Sequence, residues 1–309
     1  MRKTCLNTIY HLARKNNKII FIGSDLGPGV LNEFKNSIPA RFLMEGVSEQ
    51  SIIGMSAGLA MEGYIPYVNT ISTFITRRCF EQIAIDLCLH NLPVKLIGNG
   101  GGLVYAPLGP THQAIEDLSI LRSLPNMSII APCDAIEMKK LIEDTVKLKG
   151  PLYVRIAKGG DKIITSKTDR IKFGEGRLLI KPREYLIVTT GVMAQIGLNA
   201  AAKINEKKKN KTCGVIHLNT VKPIDKKILM QWVPKVKKVL TIEENVLSGG
   251  FGSAVLETLN TFSPKNSNKI LRIGLDDKFI DKYGTQEELF KANKLTEDNI
   301  INKLLKWQQ

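Results

Sequence analysis

Apolar positions along the chain follow two rhythms that take turns. Short unbroken apolar runs rich in β-branched residues predict strands buried on both faces: KIIFIGSD (18–25), YIPYVNTIS (64–72), VKLIGNG (94–100), MSIIAPC (127–133) and LYVRIA (152–157). Between them, near 49–62, 73–90, 112–123 and 134–148, apolar positions recur at helical spacing. Such alternation predicts right-handed crossovers and a parallel sheet with helices on both faces. The stretch AKGGDKIITSKTDRIKFGEGR (157–177) breaks the rhythm, being polar, glycine-rich and without period, as a linker would be. Alternation then resumes with EYLIVTTG (184–191), CGVIHLNTV (213–221), VLTIEEN (239–245) and KILRIGLDD (269–277). Helices are expected from about 192, near 225–233, from about 250 and twice at the end. The expectation is an α/β protein with a first domain at 1–160, a linker at 161–182 and a second domain at 183–309. The sequence carries neither an internal repeat nor a low-complexity tract.

Composition changes little in this picture. A chain of 309 residues that is 43% hydrophobic has enough apolar surface for two cores. No apolar run approaches the roughly 20 residues that span a bilayer, and the opening MRKTCLNTIYHLARKNNK returns to charge too soon for a secretory signal. Five scattered cysteines form no metal-pair spacing and no disulfide framework, which suits a reducing, cytoplasmic setting. The net charge of +15 raises nucleic acid as a partner. Its distribution argues against that. Basic residues outnumber acidic ones by 17 to 13 in the first 160 residues and by 27 to 16 thereafter, much of the excess being lysines such as those of KINEKKKNK (203–211), which has no aromatic for base stacking.

Candidate chemistry lies at the strand ends, where α/β proteins present groups to ligands. Glu49 precedes a helix of Gly, Ala, Ser and Met in MEGVSEQSIIGMSAGLAMEG (44–63); taken alone, an acid in a first turn is explained by the helix dipole. Phe74 follows a strand in NTISTFITRRCFEQI (69–83), where a plain core role is the alternative. Glycines at 98 and 100–102 follow another strand and predict a close approach of backbone to a ligand, and GPTHQ (109–113) brings His112 as a proton donor or hydroxyl contact. PLYVRIAKGG (151–160) sets the cations Arg155 and Lys158 at a strand end, as a phosphate grip would.

In order and spacing these segments resemble the C-terminal half of transketolase and of 1-deoxyxylulose-5-phosphate synthase, across nearly the whole chain. GVSEQ, STFITRRCFEQI and above all GPTHQAIEDLSILRSLPNMSIIAP carry the likeness, joined later by TTGVMAQIGLNAA, VIHLNTVKPID and TIEENVLSGGFGSAV. In size the chain matches the split transketolases, whose catalytic unit is made from two polypeptides. The resemblance implies a pyrimidine-binding domain followed by a transketolase C-terminal-like domain, and thiamine diphosphate as cofactor. It implies that Glu49 is a carboxylic acid bonded to N1′ of the aminopyrimidine, favouring the tautomer that accepts the thiazolium proton. Such a carboxyl must be shielded from water and hold a proton. It further implies that Phe74 stacks on the pyrimidine with Arg77 beside it, that Asp25 and Leu26 of GSDLGPG (23–29) border the cofactor, and that His112 touches substrate hydroxyls. A sugar-phosphate contact falls to Arg155 or Lys158.

Three departures qualify the likeness. Leu108 stands where sugar-specific members place an aspartate, and Asn99, Gly100 and Gly101 stand where they place a histidine or arginine, implying a roomier, less charged pocket. No Gly-Asp-Gly with a downstream Asn is present, and GGD at 159–161 sits in the linker. The chain is therefore expected to supply no metal ligand, with Mg²⁺ or Ca²⁺ and the diphosphate held by a complementary subunit in an α₂β₂ assembly. The helix at 51–62 offers a contact surface. The expected activity is transfer of a two-carbon ketol unit between sugar-type substrates. A 2-oxoacid dehydrogenase β-subunit, a deoxyxylulose-phosphate-synthase-like enzyme and a non-catalytic subunit are the alternatives.

Overall fold

A computed structural model describes all residues except 24–28, 30, 45, 158–159, 208–211 and 307–309. Helix α1 (Arg2–Lys15) leads into β1 (Ile19–Gly23), α2 (Asn32–Ser37), β2 (Phe42–Met44), α3 (Glu49–Met61) and β3 (Ile65–Ile71). A helix over 74–89, α4, follows; it opens and closes with wide π-type turns at Phe74–Arg78 and Ile83–Leu89. Then come β4 (Lys95–Asn99), α5 (Asp117–Arg122), β5 (Ser128–Ile130), α6 (Ala135–Thr145) and β6 (Leu152–Ile156). Apart from the short β2, which no apolar run predicts, these strands fall where expected, because a parallel sheet covered on both faces buries every residue of runs such as IIFIG and KLIGN.

The second unit contains β7 (Arg177–Ile180), β8 (Tyr185–Thr189), α7 (Met193–Lys207), β9 (Cys213–His217), β10 (Thr220–Lys222), α8 (Lys226–Trp232), β11 (Lys238–Val246), α9 (Phe251–Phe262), β12 (Ile270–Leu275), α10 (Gln286–Ala292) and α11 (Glu297–Lys306). Its five-stranded sheet runs β12-β11-β8-β9-β7, with β7 antiparallel on the edge. Part of the stretch expected to be linker, 177–180, is thus a strand. Arg177 at its start has its guanidinium buried against Glu137 rather than left in water.

Two features lock the units together. Strand β10 crosses over and pairs antiparallel with β5, so the first sheet reads β10-β5-β6-β4-β3-β1-β2. One apolar cluster joins Ile52, Leu96 and Tyr153 of the first unit to Val188, Phe251 and Val255 of the second. At this seam Cys133, Glu137 and His217 bring a thiol, a carboxylate and an imidazole within 4.8 Å of one another, all buried. They are bound to protein partners: His217 Nε2 lies 2.9 Å from Glu137, and Arg177 donates to Cys133 Sγ at 3.3 Å. Burial pushes the Glu137 carboxyl up, yet the His217 and Arg177 charges outweigh it and hold the group near 2. A cation this close to two of the three candidate ligands makes the cluster an ion-paired latch between domains. Among the described residues, no helix is long and apolar enough to cross a membrane.

Candidate active site

Glu49 begins α3 with its residue only 2% exposed, so the acid at the helix mouth is shielded from water. Its Oε2 accepts from Arg78 Nη1 at 2.5 Å. The same guanidinium lies over the Phe74 ring, 4.6 Å from the centroid. Phe74 in turn meets the His112 ring edge-on at 5.2 Å, and the Tyr105 ring lies 6.5 Å from His112, also edge-on. Residues from α3, the π-turn of α4 and the loop after β4 therefore converge at the C-terminal edge of the sheet. Arg78 and Tyr105 belong to this cluster but carried no signal in the sequence, since their roles arise from spatial contact and not from spacing.

Arg77 does not face the Glu49 carboxylate. It grips the histidine loop, ion-paired to Glu116 and donating to the Gln113 carbonyl at 3.0 Å. His112 itself is partly exposed, with Nδ1 sharing a hydrogen bond with Thr111 Oγ1 at 2.8 Å. Leu108 is half-exposed on a short 3₁₀ turn, Ala106–Leu108. Asp25, Leu26 and Lys158 lie outside the described residues.

The helix expected over 112–123 is shorter, covering only Asp117–Arg122. Upstream of it the chain is pulled into a bridge, Gly102 N–H donating to the Ala114 carbonyl at 2.8 Å and Ala114 N–H returning to Gly102 at 3.0 Å. This loop is built on a buried charge network. Arg155 donates through Nε to Asp117 at 2.9 Å and through Nη2 to the carbonyls of Ala114 and Glu244 at 3.0 and 2.8 Å. Tyr153 OH adds 2.8 Å to the same Asp117 oxygen. Burial pushes Asp117 upward even against the Arg155 cation.

That network corrects two expectations. The glycines at 100–102 serve internal packing: a Cβ would lie 2.1 Å from the Tyr105 ring at Gly100, 2.4 Å from Arg155 at Gly101 and 2.2 Å from Glu244 at Gly102. The space that a missing side chain leaves is filled by the protein itself, so these glycines do not make the pocket roomier. Asn99 is 1% exposed and donates to Asn69 Oδ1 and the Thr70 carbonyl, tying β4 to β3. We expect Gly102→Ala to cost about 2–5 kcal/mol, since φ of +68 and overpacking act together. Wild-type stability in a denaturant titration would show that Glu244 yields easily. A cavity of about 780 Å³ opens elsewhere, between Lys162, Gln195 and Phe290, and includes none of the aromatic cluster.

A parallel-sheet domain with a buried acid beside a phenylalanine face and a histidine loop, sewn to a second α/β domain, defines a class of cofactor-binding chain. Residues 1–160 match the family model of the transketolase pyrimidine binding domain, and residues 174–300 match that of the transketolase C-terminal domain. The chain belongs to the transketolase family, whose members are thiamine-diphosphate-dependent transferases. It is 36% identical over 296 residues to 1-deoxy-D-xylulose-5-phosphate synthase of Clostridium perfringens, covering 95% of this chain and 47% of that protein. The synthase of Syntrophus aciditrophicus is also 36% identical, with 95% and 45% covered. The chain thus spans about half the length of the curated relatives it matches. A solved split-gene transketolase, described as an inactive β4 tetramer, superposes with a TM-score of 0.89 at 31% identity, covering 99% of this chain and 97% of the other. Transketolase of Campylobacter jejuni shares the fold at a TM-score of 0.79 and 17% identity, this chain matching 46% of it.

Proposed function

We propose that the chain is the pyrimidine-binding subunit of a two-chain transketolase-like enzyme that transfers a two-carbon ketol unit between sugar-type substrates. The observation that carries this is the Glu49–Arg78–Phe74 arrangement. The Arg78 guanidinium is a flat group whose N–H bonds the Glu49 carboxylate while its central carbon sits 4.6 Å over the Phe74 ring. It stands in for the aminopyrimidine, a flat ring that would need the same two contacts, so the residues present fit the cofactor. Bound there, thiamine diphosphate supplies the nucleophilic carbon for ketol transfer. Glu49 holds a proton at N1′ of the pyrimidine, Phe74 orients the ring, and His112 contacts substrate hydroxyls. Arg77 fixes the loop that carries His112. Arg155, committed to Asp117 and two carbonyls, serves as an internal strut and is dropped as a phosphate contact.

A partner chain carrying the diphosphate and divalent-metal site completes this reading, with an α₂β₂ assembly. Its support here is the exposed face of α3 with Gly54, Met55, Gly58 and Met61, next to the packed 83–89 turn of α4, on which Ile85 and Leu89 are also exposed. Nothing within 4 Å covers the Gly58 Cβ direction. Purified alone, the chain is expected neither to retain thiamine diphosphate nor to turn over. Mixed with its partner and Mg²⁺ it is expected to do both, which calorimetry and a coupled ketol-transfer assay would measure. Full turnover by the isolated chain would overturn the two-chain reading.

Arg78 must leave its place when cofactor enters. Arg78→Ala in the complex is therefore expected to tighten cofactor binding about tenfold, a loss of about 1.4 kcal/mol of competing contact. Weaker binding in that titration would mean that Arg78 contacts the cofactor.

A further inference from the structure

We propose that Glu244, on β11 of the second domain, is a positioning residue that clamps the substrate-facing loop 100–116 from beneath; the claim rests on the functional reading of that loop given above. Glu244 is 3% exposed, and its Oε1 accepts from the Leu103 backbone N–H and from Gln286 Nε2, both at 2.7 Å. Its own carbonyl takes the Arg155 bond at 2.8 Å, so one residue holds both the glycine loop and the strut that supports Ala114. The packing agrees. Gly102 lacks a side chain where the Glu244 carboxyl lies, and Leu103, Ala106 and Ile115 sink into the apolar core of the second domain. Further along, Val246 N–H donates to Ile115 at 2.7 Å and Asn245 to Ser119 at 2.8 Å. The His112 loop is thus mounted on the second domain as much as on its own.

The clamp has a polarity in pH. An ionised carboxylate accepts hydrogen bonds more strongly than a neutral one, but here the cost of burying the charge is larger, so the closed site holds the protonated form better. The charged groups facing Glu244 are Arg155 from β6 and Asp117 from α5, while α10 offers the neutral Gln286 and the loop an amide. Burial raises the group to about 7, with Arg155 and the two donors pulling the other way. The closed loop therefore favours the protonated carboxyl, so the grip is tight below neutrality and loosens as pH rises through about 7.

Hydrogen–deuterium exchange on the full chain reads this directly, with peptides over 100–116 compared with β8 as reference. Glu244→Ala is expected to speed exchange at 100–116 about tenfold and leave β8 unchanged. Glu244→Gln keeps an acceptor oxygen and should restore most of the protection, while the loss of protection expected above pH 7 in the wild type disappears. In the reconstituted enzyme the Ala variant should lower kcat/KM about tenfold and the Gln variant should recover it. Unchanged exchange at 100–116, an equal increase in every peptide, or a loosened loop with unaltered kcat/KM would each overturn the proposal. Should Glu244→Ala fail to fold, Gln286→Ala removes the second donor and is read the same way. A wild-type complex that shows the exchange pattern but no ketol transfer would sink the functional reading and leave the mechanical clamp standing.

Discussion

Replacing Glu49 with glutamine in the assembled enzyme is expected to leave cofactor bound and lower turnover by about 10²–10⁴-fold, the usual contribution of a placed acid–base group. Glutamine has the same shape and offers an N–H donor, but it cannot hand over a proton at N1′. The effect on stability should be small, because the Arg78 partner that loses its charge contact is 42% exposed on its side chain. Binding is followed by calorimetry and turnover by ketol-transfer assay, so the two effects separate. Near-wild-type turnover would remove Glu49 from its role. Loss of cofactor together with turnover would instead make it a binding residue.

The strand positions and the convergence of Glu49, Phe74 and His112 were legible because both depend on short-range pattern. Buried parallel strands must be apolar throughout, and groups at consecutive strand ends necessarily share one edge of the sheet. What escaped were contacts between residues far apart in sequence. Nothing near Leu103 announces that its amide is held by a carboxylate 141 residues away. The glycines were misread for the same reason. Glycine reports a lack of room for Cβ, and the sequence alone does not say whether a ligand or a neighbouring side chain takes that room. Helix α5 is shorter than the helical character of QAIEDLSI predicts, because Ala114 is claimed by the Gly102 bridge. Strand β10 was merged with β9 because VIHLNTV reads as one apolar run, although its second half turns away to pair with β5.

Arg155→Met should be among the most destabilising single changes, about 3–5 kcal/mol near pH 8, because it strands the Asp117 charge in the interior. Asp117 has a side chain with 0% exposure, and among the described residues Tyr153 alone remains to bond it. The loss has a definite pH sign. Without the cation, the folded-state pKa of Asp117 rises further above its unfolded value, so the folded state binds a proton that the unfolded chain releases. The penalty relative to wild type therefore grows as pH climbs above the raised value that Asp117 already has in the folded wild type, and shrinks toward acid. Denaturant titrations of wild type and variant at pH 5 and pH 8 measure that difference. Adding Asp117→Leu removes the stranded charge and should recover much of the loss at pH 8, since a packed apolar pair replaces a buried ion pair at little cost. If Arg155→Met matches wild type at pH 8, or if its penalty is the same at both pH values, then the Asp117 charge is not what Arg155 neutralises, and the strut beneath the histidine loop is held by its carbonyl contacts alone.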